Sequence, residues 1–285
     1  MKLRRYKRDA GLDSTLPIMD NSGANLICIS DLHINSTVAL APPAVHLDDG
    51  GTYHASRGQR WLWECWTDFS LRVKALPGRK VLLICGDLGE LDVKRRSNQL
   101  ITVNKATIQA ITLDTLAPLV DAVDSLIVIR GTMAHTGKSQ WLEESIARQY
   151  DHAVHDKRCD NASWYHFQGE IGGVRIDAAH HASMGSLPWT GPNAANKLAA
   201  RAMWAYSVDY KQQPPDYVYR AHNHRYADSG SNYECRAILL PCWSLITEFG
   251  FRMGHELDLA DIGGVINGEV VRYRAKVGRL WTVKI

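Results

Sequence analysis

Residues 24–36 read "ANLICISDLHINS" and residues 80–90 read "KVLLICGDLGE". Each stretch is a short, unbroken apolar run that ends in polar residues. Such runs are typical of strands buried on both faces of a parallel sheet. A third run, "SLIVIRG" at 125–131, has the same character. Because helix-forming sequence lies between these runs, the pattern predicts an α/β fold with more antiparallel strands towards the end of the chain.

The helices are predicted from apolar residues at helical spacing. In "QRWLWECWTDFSLRVKAL", positions 62, 66, 69, 73 and 76 form one apolar stripe. This stripe predicts packing against the core, with an aromatic ligand platform as the alternative. Further helices are expected near 98–118, 140–150 and 192–206. A hairpin is expected to turn near Gly172 and Gly173, and another strand is expected at 216–222.

Composition predicts a globular protein with an ordinary apolar core. The chain has 285 residues, of which 45% are apolar and 22% charged, and its net charge is +3. We expect a flexible basic arm at 1–20 and a single domain at 21–285. No apolar run is long enough for a membrane span, and no apolar segment follows the basic N-terminus, so neither a membrane partner nor a secretory signal is expected. The six cysteines form no CxxC pair, which indicates a reduced, cytoplasmic protein.

The segment 34–58 is rich in glycine, proline and aspartate. It reads as a long loop, and long loops inside compact domains often act as lids over a binding site. We therefore predict a lid-like insertion at 34–58.

Carboxylates and imidazoles follow the predicted strands. The polar residues at the five successive strand ends are Asp31 and His33, Asp87 and Glu90, Thr132 and His135, His180 and His181, and His222 and His224. Ligands of α/β proteins bind in the crevice beyond the carboxyl ends of the strands, so these residues predict one site. Carboxylate and imidazole groups without thiolates favour manganese, iron or zinc.

The stretch "GTMAHTGKS" also approaches a phosphate-binding P-loop. Gly131, Gly137, Lys138 and Ser139 stand in the right context between a strand and a helix. Five residues separate the two glycines where a P-loop has four, so some backbone N–H groups would turn away from a phosphate. Nucleotide binding through a P-loop is therefore kept only as a third hypothesis.

The ordered motifs D-x-H, G-D-x-x-E, R-G, H-H and H-x-H over about residues 24–225 resemble those of the calcineurin-like metallophosphoesterase superfamily. The long loop also resembles members encoded by bacteriophages and prophages. The resemblance implies a four-layer αββα sandwich with a metal site at the C-terminal ends of the strands.

By position, the resemblance implies a set of metal ligands and a set of catalytic residues. The first metal would be held by Asp31, His33 and His224, with Asp87 bridging both metals and Thr132, His180 and His222 at the second; His181 is the alternative to His180. Glu90 would orient the catalytic histidine, Arg130 takes the place of the family's arginine, and His135 is the candidate general acid.

Two departures from the family pattern affect the expected site. Ala221 replaces the glycine of G-H-x-H, which is a small change. Thr132 stands where the family has asparagine, and His135 comes two residues late. A hydroxyl is a poorer neutral ligand than an amide oxygen, so the second metal is expected to be weakly held.

The resemblance implies two divalent metal ions, manganese first, with iron, zinc or nickel as alternatives. Two ions about 4 Å apart can clamp the attacking and leaving oxygens of a displacement at phosphorus. The expected activity is that of a phosphodiesterase or nuclease acting on nucleic acid or nucleotides, because of the basic arm, the Trp-rich segment beside the lid and the phage-like loop. The alternative is a degenerate member with one metal or none that serves as a nucleic-acid-binding or scaffold module.

Overall fold

The computed structural model describes residues 23–93, 99–182, 190–191, 193–247 and 261–274. The predicted arm at 1–20 lies outside the described residues. The strands are β1 Asn25–Ile29, β2 Ala44–His46, β3 Thr52–His54, β4 Lys80–Cys85, β5 Ser125–Ile129, β6 Ser163–Trp164, β7 His166–Ile171, β8 Val174–Ala179, β9 Tyr217–Arg220, β10 Ala227–Asp228, β11 Arg236–Leu239, β12 Ile262–Ile266 and β13 Glu269–Tyr273. The helices are α1 Arg57–Lys74, α2 Lys105–Val120, α3 Met133–Thr136, α4 Trp141–Ala147 and α5 Asn193–Trp204, and a π-helical turn continues α5 over Ala205–Asp209.

The first sheet has six strands in the order β13-β12-β1-β4-β5-β6. Strands β1, β4, β5 and β6 run parallel, whereas β12 and β13 add an antiparallel edge. The three apolar runs identified in the sequence are therefore adjacent strands. Their carboxyl ends open at one edge of the sheet.

The second sheet has five strands in the order β10-β11-β9-β8-β7. Strands β7 and β8 form the predicted hairpin, whose turn contains Gly172 and Gly173. Strand β9 pairs in parallel with both β8 and β11. The ends of β8 and β9 consequently point to the same side.

The two sheets pack face to face and helices cover both outer faces. Cys28, Leu83 and Ile127 of the first sheet belong to the same buried cluster as Phe167 and Tyr219 of the second. The opposite face of the first sheet packs under α1, α2 and α4. Small residues of α5 pack on the outer face of the second sheet through a cluster that includes Val218 and Ala237. The predicted αββα sandwich is confirmed.

Helix α1 owes its start to a capping box and its position to the apolar stripe. The Ser56 hydroxyl accepts from the Gln59 N–H, and the Gln59 side chain accepts from the Ser56 N–H. Trp66 and Phe69 are fully buried, and Trp66 packs edge-on against Trp243 with ring centroids 4.9 Å apart. The stripe is core packing, as predicted, and not a platform for a ligand.

The start of the second helix was predicted too early. Helix α2 begins at Lys105, not near 98, because Asn104 caps it by accepting from the N–H groups of Ala106 and Thr107. An asparagine at this position satisfies backbone donors that the first turn of a helix otherwise leaves unpaired.

The segment 34–58 is only in part a surface loop. Ile34, Leu40 and Ala41 are buried, and the rest includes the small β2–β3 hairpin with its exposed turn. The lid role of 34–58 stays a prediction, and the β2–β3 hairpin is the part of this segment that could perform it. Among the residues that the structure describes, no helix combines the length and the apolar character needed to cross a membrane.

Candidate metal centre

The five predicted strand ends meet at one edge of the sandwich. Asp31 and His33 follow β1 and Asp87 follows β4, while β8 and β9 from the opposite sheet deliver His180 and His222. Backbone hydrogen bonds tie the loops together: the Asp31 N–H donates to the Gly86 carbonyl, and the His33 N–H donates to the Asp87 carbonyl. Residues far apart in sequence thus form one cluster.

Asp31, His33 and His224 form a first group of metal-binding atoms, called here the first triad. The Nε2 atoms of His33 and His224 lie 3.1 Å apart. The Asp31 Oδ1 atom lies 3.5 Å from the His224 Nε2 atom and 3.9 Å from the His33 Nε2 atom. Three ligand atoms therefore converge on one small volume, in the set that the family resemblance implies for the first metal.

Asp87, His180 and His222 form a second such group, the second triad. The His180 Nε2 atom lies 3.0 Å from the Asp87 Oδ2 atom and 4.0 Å from the Asp31 Oδ1 atom. The backbone N–H of His222 donates to the other oxygen of Asp31 at 3.1 Å. The two triads are therefore in contact, as adjacent metal sites require.

His181, the alternative ligand, borders the second triad. Its ring centroid lies 5.0 Å from the rings of both His180 and His222. Unlike His180, it is exposed and belongs to neither triad. The geometry favours His180 over His181 as the ligand.

Five residues of the two triads adopt left-handed backbone conformations. The φ angles are 51° at Asp31, 45° at His33, 49° at Asp87, 76° at His222 and 55° at His224. Residues with side chains rarely take this conformation, and each instance is held in place by its surroundings. The turns after three different strands are thus bent so that carboxylates and imidazoles face one another.

Two buried atoms of the cluster have no hydrogen-bond partner among the described residues. They are the Asp31 Oδ1 atom and the His180 Nε2 atom, and both side chains are fully buried. Their contacts with the His224 Nε2 atom at 3.5 Å and the Asp87 Oδ2 atom at 3.0 Å are ion-pair distances without hydrogen-bond geometry. An unsatisfied buried polar atom is costly, so each such atom in a native protein calls for an explanation. A divalent cation between the triads would satisfy both atoms, and the mixed oxygen and nitrogen donors suit manganese, iron or zinc. The residues present therefore fit a metal.

The pKa values of the cluster also indicate that positive charge belongs there. Burial raises the pKa of Asp31, but the close contact and charge of His224 and the charge of His180 outweigh burial and lower that pKa to about 2. Burial also raises the pKa of Asp87, but the contact and charge of His180 outweigh burial and bring that pKa far below its usual range. Burial lowers the pKa of His180, yet Asp87 and Asp31 raise it to about 9. Two buried carboxylates thus require positive charge beside them, which imidazolium or a metal can supply.

Glu90 contacts two histidines. Its Oε2 atom lies 3.0 Å from the His33 Nδ1 atom, and its two oxygens lie 2.9 and 2.8 Å from the His135 Nδ1 atom. Burial raises the pKa of Glu90, but hydrogen bonds from His135 and His33 lower it to about 2. A carboxylate that accepts from both Nδ1 atoms leaves both Nε2 atoms free to face the cluster. The sequence predicted one oriented imidazole, and the structure shows two.

The extra residues of "GTMAH" form one helical turn, α3, and not an open loop. The turn places the His135 Nε2 atom 4.0 Å from the Asp87 Oδ2 atom. Thr132 precedes it; its N–H donates to the Asp87 Oδ1 atom at 2.5 Å, and its hydroxyl oxygen lies 3.4 Å from the His222 Nδ1 atom. Thr132 and His135 therefore both border the second triad, the site to which the family resemblance assigns Thr132.

Two glycines allow Asp87 and the His180 ring to approach the neighbouring backbone closely. A Cβ atom on Gly131 would overlap the backbone nitrogen and Oδ1 of Asp87, and one on Gly86 would overlap the ring of His180. Gly86 also has a φ of 82°. The glycines of the G-D and R-G motifs are thus required by close approach.

Arg130, predicted to act in catalysis, is not brought into the cluster. Its guanidinium donates to the Ser163 hydroxyl at 2.8 Å and to Glu144 at 3.2 Å, and it stacks on the Tyr165 ring. All its described polar contacts lie outside the two triads. The structure thus differs from the expectation because acceptors on α4 and β6 hold this side chain away from the two triads.

The sequence pattern missed Glu143. This fully buried carboxylate accepts from the Gly131 N–H at 3.2 Å and from the Leu88 N–H at 3.5 Å, so it joins the loops after β4 and β5. Burial and the nearby charge of Asp87 raise the pKa of Glu143 to about 7. The sequence signal that could have identified Glu143 is a carboxylate on the apolar face of α4.

The P-loop hypothesis is not supported by the backbone. Gly137 donates its N–H to the Met133 carbonyl, and Gln140 donates to the Gly137 carbonyl. Ser139 and Gln140 take left-handed conformations within a short 3₁₀ turn. These N–H groups close local turns and do not form a cradle for phosphate.

Among known proteins, no family model and no curated protein matches the chain. Its fold is similar to that of three solved structures at low identity. A single mutant of Vps29 from Entamoeba histolytica is 12% identical, over 89% of this chain and 99% of that one, with a TM-score of 0.38. A Streptococcus pneumoniae protein described as a predicted phosphoesterase is 11% identical over 78% and 74%, with a TM-score of 0.29. A 5′-nucleotidase precursor from Thermus thermophilus is 12% identical over 78% and 49%, with a TM-score of 0.35. Likeness this distant carries no argument about activity, which depends on the site itself.

Proposed function

We propose that this protein is a metal-dependent phosphoesterase of the calcineurin-like type, and within that class a phosphodiesterase acting on nucleic acid or nucleotides. One observation carries the proposal: two Asp/His triads in contact at the strand ends, with the Asp31 Oδ1 and His180 Nε2 atoms buried and unsatisfied between them. The motif resemblance supports the same class. The resemblance to phage-encoded members stays a prediction.

Asp31, His33 and His224 would hold one divalent ion, and Asp87, His180 and His222 the other, with Asp87 shared. Bound metals in such a site act as Lewis acids on phosphoryl oxygens and make water a nucleophile at neutral pH. The chain's own residues position the reaction: Glu90 fixes the tautomers of His33 and His135, and Thr132 fixes the carboxylate of Asp87.

His135 is the candidate proton donor to the leaving alkoxide. Burial opposes its protonation, but the hydrogen bond and charge of Glu90 raise its pKa above the ordinary value. Its Nδ1 is held by Glu90, so the Nε2–H of the imidazolium is the proton it can deliver. Its ring packs edge-on against His33, 4.7 Å between centroids, which places it beside the first triad as well.

The test is a matrix of metals against substrates. The chelated protein is reloaded with Mn²⁺, Zn²⁺, Fe²⁺, Ni²⁺ or Mg²⁺ and offered aryl mono- and diesters, cyclic nucleotides, and single- and double-stranded DNA and RNA. We expect hydrolysis of diesters that depends on a transition metal and that Asp87→Asn removes, whereas the matched substitution Asp114→Asn on α2 leaves it intact. Metal binding without hydrolysis of any substrate would favour the scaffold alternative.

A further inference from the structure

A cavity of about 480 Å³ lies between α5 and the outer face of the second sheet. Its volume is in the range of small-ligand pockets, about 300–1,000 Å³. Its wall includes His181, whose ring packs against the second-triad histidines His180 and His222. The cavity therefore adjoins the metal centre but is built from a different set of residues.

The floor of the cavity is a satisfied polar network. The Asp177 carboxylate accepts from Arg220 at 2.7 Å and from the Tyr206 hydroxyl at 2.6 Å, and it lies 2.8 Å from His166. Arg220 is thus neutralised by Asp177. The network fixes the shape of the floor and leaves little charge there for a ligand.

Two cationic side chains on α5 also line the cavity, and their pairing differs from that of Arg220. Lys197 and Arg201 are four residues apart, so they lie on the same face of the helix, and both line the cavity and are exposed. Within the described residues neither side chain takes part in an ion pair or a hydrogen bond. Two neighbouring cations that form no ion pair with the described part of the chain are suited to an anion that carries more than one oxygen.

The same wall carries an available aromatic ring. Helix α5 continues as a π-helical turn, which places Tyr206 and Tyr210 on the cavity. Tyr206 is held by Asp177 and Gln168, whereas Tyr210 is 62% exposed and contacts the Tyr206 ring edge-on at 5.7 Å between centroids. Exposed aromatic rings beside cations are the usual means of binding a nucleobase and its phosphate.

We propose that this cavity binds one nucleotide unit next to the scissile phosphate, with Lys197 and Arg201 on its phosphate and Tyr210 against its base. This inference rests on the proposed function and names the substrate class, a polynucleotide or dinucleotide. The site reads the phosphate and the flat face of a base, so it accepts any base. His181 forms the boundary between the nucleotide subsite and the metal centre.

The test measures binding without metal, then hydrolysis. Chelated full-length protein is titrated calorimetrically with 5′-AMP, adenosine and inorganic phosphate, so that any 5′-AMP affinity is independent of the metal centre. We expect 5′-AMP to bind more tightly than either fragment. Lys197→Gln/Arg201→Gln should weaken 5′-AMP binding at least tenfold, and Tyr210→Ala about fivefold or more. The matched double variant Lys74→Gln/Arg274→Gln removes the same charges from exposed positions on the first-sheet side and should change nothing.

Hydrolysis separates this inference from the proposed function. With metal restored, the α5 double variant should raise KM for a dinucleotide at least tenfold and leave that for bis(p-nitrophenyl) phosphate within twofold. Equal weakening by the control pair, equal binding of phosphate and 5′-AMP, or 5′-AMP binding that the α5 variants do not alter would overturn the nucleotide subsite. Specific 5′-AMP binding in a protein that hydrolyses no ester with any metal would uphold the subsite and refute the phosphoesterase.

Discussion

Replacing Glu90 by glutamine tests whether one carboxylate organises the metal centre. Glu90 accepts from the Nδ1 atoms of both His33 and His135. A glutamine of the same shape has one carbonyl oxygen to accept with, and its NH₂ group can only donate. One of the two histidines must then rotate or move its proton to Nε2, the atom that faces the cluster.

The size of the effect follows from these contacts. A hydrogen bond to a charged group contributes about 1.5–3 kcal/mol and a neutral one about 0.5–1.5 kcal/mol. Weakening two such bonds by about 1 kcal/mol each corresponds to about 30-fold in metal affinity. This lies within the range of roughly 10–100-fold that changes behind a metal ligand usually cost.

The assay is a competition titration of Mn²⁺ and Zn²⁺ against a chromophoric chelator. Glu64→Gln on the exposed face of α1 is the matched control, since it removes the same charge far from the cluster. We expect Glu90→Gln to lose roughly 10–100-fold in affinity at one site at least, and Glu64→Gln to lose none. Unchanged affinity at both sites would show that Glu90 does not set the tautomers of these histidines.

Four further perturbations have defined outcomes. Asp87→Ala should abolish hydrolysis and lower the number of bound ions, measured by metal analysis, because the proposed site shares this carboxylate between both ions. His135→Ala should cost about 10²–10⁴ in turnover on esters with poor leaving groups, and much less on a nitrophenyl ester, with metal content intact. Gly131→Ala should destabilise the fold by about 1–3 kcal/mol in chemical denaturation, because its Cβ would overlap Asp87. Despite burial, the contacts of His166 and the charge of Arg220 lower the pKa of Asp177, so its stabilising effect is present above about pH 4 and is lost as the pH falls; Asp177→Asn should flatten the acid limb of the melting temperature.

Each of these has an outcome that contradicts it. Near-normal turnover of the Asp87 variant with full metal content would refute the shared-ligand arrangement. Loss of one metal equivalent in His135→Ala, with both esters slowed alike, would make His135 a ligand. Wild-type stability of Gly131→Ala would mean that the loop after β5 shifts to accommodate the added Cβ atom without loss of stability. Parallel pH profiles for wild type and Asp177→Asn would show that acid unfolding begins elsewhere.

Much of the site could be inferred from sequence because the information is local. An apolar run followed by D-x-H or G-D places polar residues at a strand end whatever the rest of the chain does, and parallel strands bring such ends to one edge. The grouping of Asp31 with His224, which lie far apart along the chain, came only from the family resemblance. Their contact, with the Asp31 Oδ1 atom 3.5 Å from the His224 Nε2 atom, appears only once the two sheets are packed.

The sequence by itself determined the buried strands, the core helix α1 and the order of the polar strand ends, because apolar periodicity and glycine positions act over a few residues. Only the tertiary structure decided which acids and bases face the cluster. Arg130 lies next to Gly131 in sequence, yet Glu144 and Ser163 hold it away. Glu143 belongs to no sequence motif, yet its buried carboxylate accepts hydrogen bonds from the loops after β4 and β5. The direction of a side chain depends on partners from other elements, and a linear pattern does not contain them.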